Sequence, residues 1–108
     1  MKERLERLAR KIETYAEYKQ HLPFHCAAAL ARQLWEDETG KTHNPHTLIF
    51  RDEEVAEYFG LTVSDLDALY MADYSRLNIG LEDVPDDKFN KITREQAASV
   101  VRKLADRG

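Results

Sequence analysis

The chain predicts an all-α fold of about five helices, a long N-terminal amphipathic helix and an alanine-rich second helix packed against a tri-helical remainder. Two observations predict it. Apolar residues recur at spacings of three and four through most of the chain, and helix caps and glycine stops divide that periodicity into segments. At 108 residues one domain is expected, long enough to bury a core without disulfides or metal. Its expected parts are a helical hairpin over 1–39, a pair of short helices over 52–74 and a C-terminal helix over 93–107.

The first helix is expected from Lys2 to about His21. Neither Gly nor Pro interrupts it, and Leu5, Leu8, Ile12, Tyr15 and Leu22 form its stripe. Glu3–Arg7 and Glu6–Arg10 are helix-supporting pairs across one turn. Pro23 suits the first turn of a second helix, whose core face is Phe24, Ala27, Ala31, Leu34 and Trp35 and whose stop is Gly40. The small side chains of Ala27, Ala28, Ala29 and Ala31 let another helix approach closely. The loop GKTHNPHTLIF follows, with Thr47–Phe50 expected to be extended because Asn44-Pro45 disfavours helix. A third helix is expected from the N-cap Asp52 to Gly60, and a fourth from Thr62 or Ser64 to about Tyr74. Residues 75–92 are long for an irregular connection, so either a short turn of helix or strand is expected within them or the loop is functional. The last helix starts at Thr93, where Gln96 three residues on completes a capping box, and Ala97, Val100, Val101 and Leu104 give its apolar face.

Composition narrows the function. The apolar share is 43% and the charged share 33%, and no apolar run approaches the roughly 18 residues of a membrane helix. The N-terminal stretch interleaves charges with single apolar residues, unlike a secretory signal, and the one cysteine, Cys26, has no internal disulfide partner. A cytoplasmic location with no membrane partner is the expectation. The net charge of -4 is unevenly spread: residues 1–35 hold seven Lys/Arg against four Asp/Glu, residues 36–75 two against ten, and residues 76–108 seven against six. A single-sign region of this kind bears on partner choice more than on fold.

Residues 53–71 carry Val55, Ala56, Phe59, Gly60, Leu61, Leu66 and Leu69 in a pattern that resembles a helix-turn-helix. Small Ala56 lets the second helix cross the first, and Gly60 supplies the left-handed turn. The face that would read DNA is Ser64, Asp67, Ala68 and Met71, with Asp65 beside it, and no Lys or Arg lies between Thr62 and Ser75. Phosphate contact needs Lys or Arg, and base reading favours Arg, Asn and Gln. That surface, Ser64, Asp65, Asp67, Ala68 and Met71, is therefore expected to meet another protein, for which an adaptable Met71 is suited. DNA binding would need a basic face elsewhere, built from the first helix or from Arg94, Arg102, Lys103 and Arg107. A second copy of the chain, meeting the Leu5–Tyr15 stripe, is the other partner considered.

His21, His25, Cys26, His43 and His46 are zinc-ligand types crowded into 26 residues, but Pro23 separates the first two histidines and neither pair has a zinc-module spacing. No metal and no cofactor are expected. Cys26 near a helix start, with a histidine as base, would be the arrangement of a cysteine hydrolase. A thiol followed by three alanines reads more simply as a core residue, and no catalytic residue is assigned. The segment DDKFNKITREQ places Pro85 and Gln96 where a calcium loop needs carboxylates, and the glycines form no phosphate-binding series. The functional expectation is a small acidic helical interaction protein, regulatory, adaptor or inhibitor, of the kind phages and mobile elements encode. A DNA-binding regulator is the alternative, and a Cys/His enzyme the remote one.

Overall fold

In a computed structural model, residues 2–15, 26–48, 51–71, 73–77, 79 and 93–107 are described. They form α1 (Lys2–Thr14), α2 (Ala27–Thr39), α3 (Glu53–Tyr58), α4 (Val63–Met71), a single 3-10 turn (Tyr74–Leu77) and α5 (Arg94–Arg107). The fold is all-α: the described residues form five α-helices and no strand.

The first helix stops earlier than its periodicity predicts. The Thr14 hydroxyl donates back to the Arg10 carbonyl at 2.9 Å, and the Tyr15 N–H closes the last turn on the Lys11 carbonyl. A β-branched residue bonding to its own preceding turn is a weak place to extend a helix. Leu5, Leu8, Ala9 and Ile12 are buried along one side of α1, which packs more extensively on α5 than any other two elements pack. These side chains of the stripe are therefore covered within one copy of the chain, while Tyr15 is half-buried. The stripe's predicted continuation through Leu22 lies outside the described residues, as does Pro23.

Helix α2 is central and touches α1, α3 and α4. Ala27, Ala28, Ala29, Leu30 and Ala31 are all buried, so this half has no solvent face, and small side chains admit neighbouring helices on several sides. It begins at Ala27, with Cys26 at its N-cap, rather than at Pro23. It ends as expected at Gly40, whose φ of 72° allows its N–H to return to the Glu36 carbonyl. The next loop differs from expectation. Asn44 to Thr47 is a turn, closed by the Thr47 N–H on the Asn44 carbonyl, and not the start of an extended segment; Ile49 and Phe50 lie outside the described residues.

Asp52 caps α3 as expected, accepting the Val55 N–H at 3.3 Å. Gly60, at φ 70°, turns the chain, and the Leu61 N–H reaches back to the Ala56 carbonyl at 2.8 Å. Thr62 caps α4, which ends at Met71 rather than Tyr74. The turn of helix expected after it is the 3-10 turn at Tyr74–Leu77, and residues 80–92 lie outside the described residues. The capping box of α5 is formed on both sides: the Thr93 N–H donates to Gln96 Oε1 at 2.9 Å and the Gln96 N–H to Thr93 Oγ1 at 3.1 Å.

Candidate interaction surface

The α3–α4 pair buries Val55, Ala56, Phe59, Leu66, Ala68 and Leu69, the apolar skeleton read from the sequence with one addition. That addition corrects the expected surface. Ala68 is fully buried and Asp65 only 7% exposed, so neither lies on the outward face. Ser64 is exposed, while Asp67 and Met71 are half-buried at the surface beside Val63 and Tyr70. The outward side of α4 is thus Val63, Ser64, Asp67, Tyr70 and Met71.

Asp65 explains the rotation. Its Oδ2 accepts the Thr62 N–H at 3.0 Å while the Thr62 hydroxyl accepts the Asp65 N–H at 3.1 Å, a reciprocal cap. Arg107 of α5 meets the same carboxylate with both terminal nitrogens, Nη2 to Oδ2 at 2.7 Å and Nη1 to Oδ1 at 3.0 Å, and also donates to the Leu77 carbonyl. The Arg107 guanidinium holds the Asp65 carboxyl below its ordinary pKa against the opposing effect of burial, with Thr62 adding to the lowering.

The same neutralisation recurs across the acidic middle of the chain. Glu38 takes Arg7 of α1 through two hydrogen bonds and the Tyr58 hydroxyl through a third, at 2.6 Å. Its pKa is lowered, chiefly by the bond from Arg7. Asp37 lies 4.0 Å from Lys11. Asp52 lies 3.4 Å from Arg32, whose Nε makes no hydrogen bond there although its Nη2 donates to the Thr47 carbonyl at 2.7 Å. Buried Arg32 thus ties α2 to the 44–47 turn and to the cap of α3. Arg102 bridges α5 to Glu6 and Glu13 of α1, Arg94 donates to the Glu13 carbonyl, and Lys2 pairs with Asp106. Of the basic residues on which a DNA-binding face would have drawn, Arg94, Arg102 and Arg107 are engaged within the chain.

Glu53, Glu54 and Glu57 of α3 are exposed, and no ion pair to any of them occurs among the described residues. Beside them a groove of about 470 Å³ is lined by Arg4, Trp35, Thr39, Lys41, Glu54, Glu57 and Tyr58. Arg4 lies over the Tyr58 ring, 4.0 Å from its centroid, and donates from Nη1 to the Tyr58 carbonyl at 2.8 Å.

The histidine and cysteine cluster is dispersed where it is described. His43 Nδ1 meets Glu36 Oε2 at 3.0 Å, and the same oxygen accepts the His43 N–H. His46 is exposed in the turn, its N–H on Asn44 Oδ1. His21 and His25 lie outside the described residues, and among the described residues no group of three metal-ligand types converges. Cys26 is 1% exposed, and burial pushes its thiol pKa up against the lowering pull of the Ala29 and Ala28 amides.

No helix among the described residues is long and apolar enough to cross a membrane. No family model matches the chain, and neither the curated proteins nor the solved structures compared with it yield a match.

Proposed function

We propose that the chain is a small helical interaction module that binds another protein, in a regulatory, adaptor or inhibitory role, through the outward side of α4 and the carboxylates of α3. What carries this reading is the division of charge. The cations of α1 and α5 pair with Glu38, Asp65, Glu6 and Glu13 of the same chain, which leaves Glu53, Glu54 and Glu57 as exposed carboxylates on α3, while α4 keeps Val63, Tyr70 and Met71 half-buried on its outward side. Tyr and Met are side chains favoured where proteins meet, and a negative rim steers basic partners and repels phosphate. The proposed surface therefore keeps Ser64, Asp67 and Met71 and gives Asp65 and Ala68 to the interior.

The test pairs two measurements on the full chain. Affinity capture from the source cell is expected to retain a partner that an Asp67→Arg/Met71→Arg variant loses while keeping its helical circular dichroism. Random duplex DNA at low ionic strength is expected to show no retardation. Salt-dependent retardation of DNA, or capture unchanged by the double substitution, overturns the reading.

A further inference from the structure

The groove between the end of α2 and α3 combines features that the outward side of α4 lacks. Trp35 and Tyr58 give it aromatic walls, Glu54 and Glu57 form one rim, and Thr39 and Lys41 line it as well. The carboxylates are set at a disadvantage. Glu54 and Glu57 are three residues apart on one short helix, Glu53 and Glu57 four apart, and like charges at those spacings repel. Glu57 also lies in the last turn, where the helix dipole disfavours an anion. A cation brought to this rim relieves both effects.

The chain itself illustrates how this wall holds a cation. The Arg4 guanidinium is stacked on the Tyr58 ring and bonded to the Tyr58 carbonyl, a cation–π contact supported by a hydrogen bond. Arg4 occupies that face of the ring, and the remaining space is bounded by Trp35, Thr39, Glu54 and Glu57. Aromatic surface suits the methylene stem of a long basic side chain, and carboxylates suit its head. Lys41 limits the charge that can enter, since a polybasic stretch would be repelled by it.

We infer that this groove receives a single arginine or lysine side chain presented by the protein partner, an inference that rests on the interaction reading above and specifies the chemistry of that partner. Free cations and nucleic acid are not its occupants: the first lack the stem that the aromatic walls cover, and the second carries the wrong sign for Glu54 and Glu57.

The probe is N-acetyl-arginine amide, titrated into the full-length isotope-labelled chain and followed by amide and indole resonances, with N-acetyl-glutamine amide and N-acetyl-glutamate amide as controls at matched ionic strength. Saturable millimolar shifts at the Trp35 indole and at Glu57 and Tyr58 are expected with the arginine compound alone. Glu54→Gln/Glu57→Gln is expected to weaken them about fivefold, and Lys41→Glu to strengthen them by a similar factor. Absence of saturation, equal response to the glutamine compound, or an affinity that neither variant changes overturns the inference. Partner capture that survives while arginine binding is absent removes this groove and leaves the proposed function standing, whereas arginine binding without any captured protein overturns the proposed function and with it the partner that the inference names.

Discussion

Asp65 looked like a surface residue because a helical wheel drawn on α4 alone places it beside Ser64. Its position depends on Arg107, 42 residues away, which neutralises it and allows it to sit within the protein. Replacing it with alanine removes a helix cap and leaves Arg107 without its carboxylate, and about 2 kcal/mol of stability is expected to go, read as a lowered denaturant midpoint. The acid response follows from the same pair. Because Arg107 lowers the folded pKa of Asp65, the pair's contribution is complete above the unfolded value near ~3.9 and is lost as pH falls from there through the folded value. Asp65→Asn is thus expected to flatten the loss of stability below about pH 4; an unchanged acid limb in chemical denaturation would contradict the assignment. Cys26 makes the complementary case. Its burial was legible from the alanines that follow it, and alkylation is expected to proceed only through opening of the fold, more slowly than on an unfolded peptide.

At the scale of elements, the signals that were legible are those written in adjacent residues. Asp52 capping α3, Gly40 closing α2 and the Thr93–Gln96 box opening α5 each depend on a span of a few residues, and each is formed. Thr93→Ala is expected to cost about 1 kcal/mol through the lost cap. Gly40→Ala is expected to cost about 1–2 kcal/mol from its left-handed φ alone, since an added Cβ would meet no atom within 4 Å. The features missed depend on distant residues. The stripe through Leu5, Leu8, Ile12 and Tyr15 carries no mark of where the helix gives way, and its apolar side is covered by α5 from the far end of the chain. The outward side of α4 carries Val63 and Tyr70 where the sequence suggests Asp65 and Ala68, because packing on α2 and the Arg107 pair from α5 set the rotation of that helix. The groove went unread for the same reason: Arg4, Trp35 and Tyr58 converge from three helices, and none of them is unusual in its own segment.

Across the whole molecule, the uneven charge of the sequence becomes a set of clamps, with the basic ends closing on the acidic middle and on each other. Arg102, between Glu6 and Glu13, joins the two most extensively packed helices. These side chains are more than a third exposed, so solvent screening limits their value. Arg102→Met is expected to cost about 1 kcal/mol at low salt and markedly less in 1 M sodium chloride, where the Debye length falls to about 3 Å, as thermal denaturation would show. A penalty independent of salt would make the loss one of packing and not of charge. Arg102 and Arg107 are paired with Glu6, Glu13 and Asp65, and the carboxylates of α3 are left exposed.

The pairing of α1 with α5 also governs how the fold can be reached. Glu6 and Arg102 are 96 residues apart, and Leu5, Leu8 and Ile12 stay uncovered until the far end of the chain has been made. The most extensive interface among the described elements is therefore the most remote in sequence, and closing so long a loop slows folding more than it costs stability. Lys2 and Asp106 lie 3.1 Å apart, so a short linker could join the two ends. A circular permutant joined there and opened in the exposed stretch between Lys41 and Thr42 would make that interface local, and in stopped-flow refolding it should fold faster than the natural order of helices.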